Sequence, residues 1–125
     1  MNRADKIKAC RSHITLKNSK NISNEEHFQN QVLRPILKFQ NELFIKLFLS
    51  NCKTYKINFT EFNSEEKYDY LENLFKKDFK IRASFIGTVI ALLTLEEFEK
   101  YSVNQQLYNK RIIQMLAERL KNQTA

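Results

Sequence analysis

The residues that could support chemistry are few, and their spacing argues against catalysis. His13 and His27 show no HExxH or ExxH spacing, so the sequence predicts no metal site. Cys52 and His27 would lie about seven turns apart on one predicted helix, too far for a nucleophile and its base. The single glycine excludes a glycine-rich phosphate loop. We therefore expect no catalytic residue, no metal and no cofactor, and we predict that the protein is not an enzyme.

Five polar side chains on one predicted helix are the main candidates for a binding site. Gln29 and Gln40 project into the middle of an otherwise apolar helical arc, where an unpaired buried amide costs about 1–3 kcal/mol. They should therefore either clamp helices together through backbone groups or line a ligand pocket or a dimer seam. Asn30, Arg34 and Asn41 flank the same arc and would form its polar rim in either case.

Basic residues are the other candidates, as contacts to phosphate. The net charge is +7, and residues 1–22 hold six Lys or Arg against one acid, which gives this segment a net +5. A second basic run covers residues 76–82. The alternatives are a solvated tail for the first segment and an ordinary basic helix end for the second. Together the two segments supply ten candidate phosphate contacts: Arg3, Lys6, Lys8, Arg11, Lys17, Lys20, Lys76, Lys77, Lys80 and Arg82.

The composition predicts that helices position these residues. One glycine and one proline in 125 residues are too few for the turns of a β-rich fold. Ten Phe and five Tyr supply the volume of an aromatic core. We therefore predict an all-α protein, with a flexible basic arm over residues 1–22 and a single-domain bundle of four to five helices over residues 23–125.

The central element of the predicted bundle is one long helix over Ser23 to Lys53. Ser23 and Glu26 form a capping box at its start, and Pro35 predicts a kink at residues 31–35. Its apolar residues fill roughly half of the circumference at ~100° per residue, which indicates several packing neighbours. They are Val32, Leu33, Ile36, Leu37, Phe39, Leu43, Phe44, Leu47 and Phe48.

An extended connector over residues 54–63 is predicted to lay Tyr55, Ile57 and Phe59 onto the bundle. Asn63 then caps the second helix. The inward face of that helix is predicted from its three- and four-residue spacing: Tyr68, Leu71, Leu74, Phe75 and Phe79.

The third predicted helix runs from about Phe79 or Lys80 to Leu93. Its small residues Ala83, Gly87 and Ala91 recur every fourth position, and we expect this ridge to pack against the first helix. Capping boxes predict the starts of the last two helices, at Thr94 with Glu97 and at Ser102 with Gln105.

A likeness to a known family is carried by two runs, Phe28-Gln29-Asn30 and Leu33-Arg34-Pro35-Ile36-Leu37-Lys38-Phe39-Gln40-Asn41. The chain resembles a small helical family from Bacteroidetes, and the likeness continues through most of residues 26–122. The family has no established functional residues, so none can be carried over. Some of its members carry the automatic label glyoxalase. Enzymes of the glyoxalase I class have a βαβββ scaffold with His and Glu metal ligands on strands, and this sequence provides neither, so we set the label aside.

Three further features bear on compartment. The first residues carry charges throughout and lack an apolar segment, so no export signal is predicted and we expect a cytoplasmic protein. Cys10 and Cys52 have no metal-binding spacing and are predicted to be free thiols. The longest apolar run, around Phe85 to Leu95, falls short of the roughly 20 residues that span a bilayer, so no membrane partner is expected.

From these features we predict a non-enzymatic helical module that binds another protein, or a second copy of itself, through helix faces left apolar after the core is filled. The alternative is a nucleic-acid or ribosome-associated protein that uses the basic arm over residues 1–22 and the basic run over residues 76–82. A steep fall of affinity with salt would indicate the alternative, because phosphate contacts are strongly screened.

Overall fold

The computed structural model describes residues 2–11 and 23–123, and these form seven helices and no strand. The all-α prediction is confirmed, but the helices outnumber the four or five expected. Helix α2 is continuous over three parts, of which the middle one is a π-helical turn: Asn24–Phe28, Gln29–Leu33 and Arg34–Phe39. The others are α1 (Arg3–Cys10), α3 (Asn41–Thr54), α4 (Ser64–Lys77), α5 (Phe79–Ile90), α6 (Leu95–Val103) and α7 (Gln105–Gln123), with a 3-10 turn at Phe59–Glu61 before α4.

Helix α7, rather than the helix around Pro35, lies at the centre of the described fold. It packs against α3, α4, α5, α6 and the π-helical turn of α2. Its buried residues recur every fourth position, which directs one stripe into the core: Tyr108, Ile112, Leu116 and Leu120. Aromatic pairs fill much of the remaining core, with ring centroids 5.6 Å apart for Phe44 and Phe85 and 4.7 Å apart for Phe48 and Phe59.

The predicted long helix over Ser23 to Lys53 is two helices, α2 and α3, separated at Gln40. The backbone of Gln40 leaves helical geometry, with φ −89° and ψ 4°. Before Pro35, the Arg34 N–H donates to the Gln29 carbonyl five residues back, which defines the π-helical turn. A wider turn relieves the clash between a proline ring and the carbonyl four residues earlier. The predicted proline kink is therefore replaced by a π-helical turn, and the break lies at Gln40.

Two interruptions expose apolar residues that the helical spacing placed in the core. The break at Gln40 leaves Phe39, Leu43 and Leu47 substantially exposed. Helix α4 ends at Lys77, so Phe79 belongs to α5 and does not extend the inward face of α4. A helical projection assumes that one helix continues without a break. Helices α2 and α4 each end before the last residues that the projection assigned to them.

The small-residue ridge of α5 does not meet another of the described helices. Ala83, Gly87 and Ala91 are exposed, and among residues 2–11 and 23–123 a Cβ added at Gly87 would meet no atom within 4 Å. The packing prediction was wrong because α5 turns a different stripe inward, which includes Phe85 and Val89. This ridge consequently lies on the outer surface of the described fold.

The predicted caps at Ser23, Asn63 and Thr94 are confirmed, and the one at Ser102 is wrong. The Ser23 hydroxyl accepts from the Glu26 backbone N–H at 3.1 Å. Asn63 and Thr94 each accept a bond from the backbone of the third helical residue, whose Glu side chain accepts one back from the capping residue. Ser102 instead lies inside α6, where its hydroxyl donates to the Glu99 carbonyl at 2.9 Å. Helix α7 begins at Gln105, after Asn104.

The part of the predicted flexible arm that the structure describes is a docked helix. Asn2 caps α1, and Ile7 is buried on the bundle. Polar contacts, described below, hold α1 in place, so it can dock although its sequence has no apolar periodicity. Lys17 and Lys20 lie outside the described residues.

Candidate protein-docking groove

Two members of the predicted polar set join helices. The Gln40 amide donates to the Thr88 carbonyl at 3.5 Å, which links the α2–α3 junction to α5. The Asn41 amide nitrogen donates to Gln123 at 2.6 Å, and its oxygen accepts from Arg119 at 3.2 Å. Both contacts fix how neighbouring helices dock, which favours the clamp interpretation.

The other three members stay within α2. Arg34 donates to the Asn30 side chain at 2.9 Å, one turn earlier on the same helix. Gln29 is half-buried at the start of the π-helical turn, where its carbonyl accepts from the Arg34 N–H. The five residues therefore do not converge on one pocket, and none of them lines the groove described below.

The two N-terminal arginines are engaged within the fold. The Arg3 guanidinium donates to the Leu93 carbonyl at 2.8 Å, just after α5. Arg11 donates from both terminal nitrogens to the Glu97 carboxylate, at 2.5 and 2.9 Å. Burial raises the pKa of Glu97, but hydrogen bonds from Arg11 and from the Thr94 backbone outweigh it and hold the pKa below its ordinary value. These contacts attach α1 to the turn after α5 and to the first turn of α6.

The basic run over residues 76–82 divides at the corner between α4 and α5. Lys76 and Arg82 line a groove between α4 and α7, whereas Lys77 and Lys80 line a separate cleft at the corner itself. Arg82 also donates to the Phe75 carbonyl at 3.4 Å. The predicted phosphate contacts thus occupy separate surfaces, and the remaining ones, Lys6 and Lys8, are exposed on α1.

The groove between α4 and α7, which we call the α4–α7 groove, has a volume of about 570 Å³. Apolar residues from both helices line it: Leu71, Phe75, Ile113 and Ala117. Four basic residues also line it, with two acids among them, so the charged lining has a net +2: Lys76, Arg82, Lys110 and Lys121, with Glu72 and Glu118. Tyr68 is 54% exposed here, and the Lys121 ammonium lies 5.9 Å from its ring centroid.

Both walls of the groove come from regular helix faces. The α4 residues are Tyr68, Leu71, Glu72, Phe75 and Lys76, and the α7 residues are Lys110, Ile113, Gln114, Ala117, Glu118 and Lys121. Each set repeats at intervals of three and four, so each forms a single stripe. The sequence placed Tyr68, Leu71 and Phe75 on the core face of α4 and did not predict the groove; for the exposed Tyr68 that prediction was wrong. Lys110 and Lys121 lie outside any basic run, and nothing local indicates that α4 and α7 are adjacent.

The described residues offer little for other chemistry. No group of three or more His, Cys, Asp or Glu within residues 2–11 and 23–123 could hold a metal ion. Cys10 is exposed and Cys52 is buried, and both are free thiols as predicted. Among the helices described, none combines the length and apolar character needed to cross a membrane.

Comparison of the chain with protein-family models, curated proteins and solved structures found no match. No residue role can therefore be transferred from another protein, and the resemblance to a Bacteroidetes family stays a prediction.

Proposed function

We propose that the protein is a non-enzymatic interaction module that binds an acidic amphipathic helix of a protein partner in the α4–α7 groove. The observation that carries the proposal is the combination of an apolar floor with a basic rim along two neighbouring helices. Folding requires the floor, but it does not require an exposed tyrosine or a surplus of cations beside it.

The shape of the groove favours a helix as the bound element. Two neighbouring helices leave a furrow between them, and an amphipathic helix can lay its apolar face along such a furrow. Ile113 and Ala117, which are partly exposed, would contact apolar residues at positions i, i+3, i+4 and i+7 of the bound helix. Tyr68 would supply a partly exposed ring with a polar tip at one end, as aromatic residues do at protein interfaces.

The charge of the rim favours acidic residues flanking that apolar face. Lys110 is exposed, and Lys76 forms a solvent-exposed ion pair with Glu72 at 3.4 Å. Such a pair is worth about 0–1 kcal/mol, so Lys76 can exchange it for a carboxylate of the partner at little cost. The rim would also exclude basic helices by like-charge repulsion.

The alternative, phosphate binding by residues 1–22 and residues 76–82 acting together, has less support. Arg3 and Arg11 are engaged with carbonyl and carboxylate groups, and the second run divides between two surfaces. A homodimer through the exposed row of Phe39, Leu43 and Leu47 would be compatible with the proposal, since this row lies on α2 and α3 and not in the groove.

The test is binding of fluorescein-labelled helical peptides measured by anisotropy. The probe carries Leu and Phe at i, i+3, i+4 and i+7 with Glu on both flanks. Reversing two rim charges, Lys110→Glu with Lys121→Glu, should weaken binding by roughly tenfold or more. The matched control, Lys38→Glu with Lys46→Glu, makes the same charge change on exposed positions outside the groove and should leave affinity nearly unchanged.

Two results would contradict the proposal. One is an equal loss of affinity in the groove variant and the control variant, which would indicate a general response to net charge. The other is equal binding of a peptide with the same composition but scrambled order, since an apolar floor distinguishes a continuous apolar face from a scattered one.

A further inference from the structure

Exposed aromatic rings and lysines meet in a second cleft, at the corner where α4 ends and α5 begins. The cleft has a volume of about 630 Å³, and its lining includes Tyr55, Tyr70, Lys77, Asp78, Phe79 and Lys80. Phe79 is 75% exposed and Tyr55 is 62% exposed, although the sequence predicted both in the core. We call this site the corner cleft.

Folding does not account for the two exposed rings. Phe79 is the first residue of α5, directly after the capping Asp78, and many residue types are compatible with that position. Tyr55 ends α3 in a turn where the Ile57 N–H donates to the Cys52 carbonyl at 2.8 Å. Lys56 occupies the left-handed position of that turn with φ 56°, a backbone conformation that glycine adopts at a lower conformational energy. The chain therefore keeps a strained turn next to an exposed aromatic residue.

The charge around the two rings is positive. Residues 53–56 and 77–80 together contain four lysines and one acid. That acid, Asp78, already accepts the backbone N–H groups of Lys80 and Ile81, both at 3.1 Å. Its charge is therefore partly satisfied within α5, whereas Lys77 and Lys80 are exposed.

We infer that the corner cleft binds single-stranded nucleic acid, with unpaired bases stacking on Tyr55 and Phe79 and with Lys77 and Lys80 contacting phosphates. Stacking on an aromatic side chain requires a base with a free face, which a duplex does not offer within its stack. Every base has such a face, so binding should tolerate most sequences. This site uses Lys77 and Lys80 from the phosphate contacts predicted from charge, but it needs neither residues 1–22 nor Lys76 and Arg82, and it is separate from the α4–α7 groove.

The experiment is anisotropy of a fluorescein-labelled oligo-dT or oligo-U strand of about a dozen nucleotides, a length within the site sizes of single-strand binders. The full chain should bind the strand more tightly than a duplex of equal length. Phe79→Ala should weaken binding roughly fivefold or more, and Phe79→Trp should preserve it, because stacking is worth about 1–3 kcal/mol per base. Circular dichroism of both variants checks that the fold is kept.

The lysines have their own readout in the salt dependence. Lys77→Gln with Lys80→Gln should reduce the slope of log affinity against log salt by about 1.4, since each single-strand phosphate contact contributes about 0.7. The control, Lys38→Gln with Lys46→Gln, should leave the slope unchanged.

Three results would overturn the inference. The first is equal affinity for duplex and single strand, and the second is unchanged binding of the strand by Phe79→Ala. The third is that polyglutamate displaces the strand equally well from the wild type and from Phe79→Ala. The last would show a surface that attracts any polyanion without stacking. Peptide binding in the α4–α7 groove would be unaffected by these outcomes, so the two proposals fail separately.

Discussion

Two basic regions of this protein use their charge in different ways. In α1, the guanidinium groups of Arg3 and Arg11 are bonded to carbonyls after α5 and to the Glu97 carboxylate. The Arg11 and Glu97 side chains are only 10% and 13% exposed. Around the α4–α7 groove, by contrast, Lys110 is exposed beside an apolar floor. The first region uses its two arginines to hold the chain together, whereas we propose that the second uses its lysines to meet a partner.

The difference shows that a basic segment can be structural even where it looks like a nucleic-acid arm. Residues 1–22 have the stronger charge signal in the sequence, yet the two arginines described there complete the fold. The groove has a weaker charge signal in the sequence because its basic residues are scattered along α4, α5 and α7. A cation is structural where the fold places a carbonyl or carboxylate of the same chain within hydrogen-bonding distance, and it is available for binding where the fold does not.

The largest effect is expected from breaking the α1 attachment. Replacing Arg11 with Met leaves Glu97 without its bidentate partner, and α1 should detach at a cost of about 1.5–3 kcal/mol, the range for hydrogen bonds to charged groups. Hydrogen exchange should show lost protection for α1 amides, and urea titration should show reduced stability. The matched variant, Lys110→Met, should change stability by less than about 0.5 kcal/mol. If the two variants lost the same free energy of unfolding, the arginines of the N-terminal region would be no more structural than the lysines of the groove.

Acid should also separate the two regions. The pKa of Glu97 is lower when folded than when unfolded, so its contribution is fully present above the unfolded value, about 4.3 for an ordinary Glu, and is lost as pH falls through the folded value. Amide NMR signals of α1 should therefore move toward unfolded positions in that acidic window, before those of α7. The Glu97→Gln variant should lack this step, and a step that persists in it would assign the transition to another group.

A smaller effect, in the opposite direction, is expected at Gly87. The Gly87→Ala variant should stabilise the protein by about 1 kcal/mol, because alanine favours an exposed helix interior and its Cβ would meet no described residue within 4 Å. This change strengthens α5 itself, whose C-terminal end holds α1 through Arg3. A rise in melting temperature without a change in peptide affinity would keep the two regions independent. A fall would show that the small-residue ridge packs against something after all.

The smallest effect is expected from neutralising the groove. The double variant Lys110→Gln with Lys121→Gln should leave the free energy of unfolding within about 0.5 kcal/mol of wild type, as for most surface substitutions. Thermal unfolding followed by circular dichroism measures it. A large loss would mean that these lysines stabilise the fold in the way that Arg11 does.

The features that the sequence predicted well are local. The capping boxes at Asn63 and Thr94 depend on residues three positions apart, and the all-α class depends on composition. The break at Gln40 and the π-helical turn before Pro35 were not predicted. The apolar spacing of this segment is that of one continuous helix, and tertiary contacts such as the Gln40–Thr88 bond cannot be seen in that spacing.

The features that escaped prediction join distant parts of the chain. Arg3 and Leu93 are separated by 90 positions, and Arg11 and Glu97 by 86, so no local pattern relates them. The groove likewise needs the adjacency of α4 and α7. Gln40 and Asn41 were recognised as unusual from the sequence alone, but only the fold shows that they connect helices.

The most direct test of the central claim is an NMR titration of the ¹⁵N-labelled full chain with the acidic amphipathic peptide. We predict the largest amide shift changes at Tyr68, Glu72, Ile113 and Ala117 on the two walls of the α4–α7 groove, and none in α1. Changes concentrated in α1 or around Tyr55 and Phe79 would contradict the assignment of the groove as the docking site.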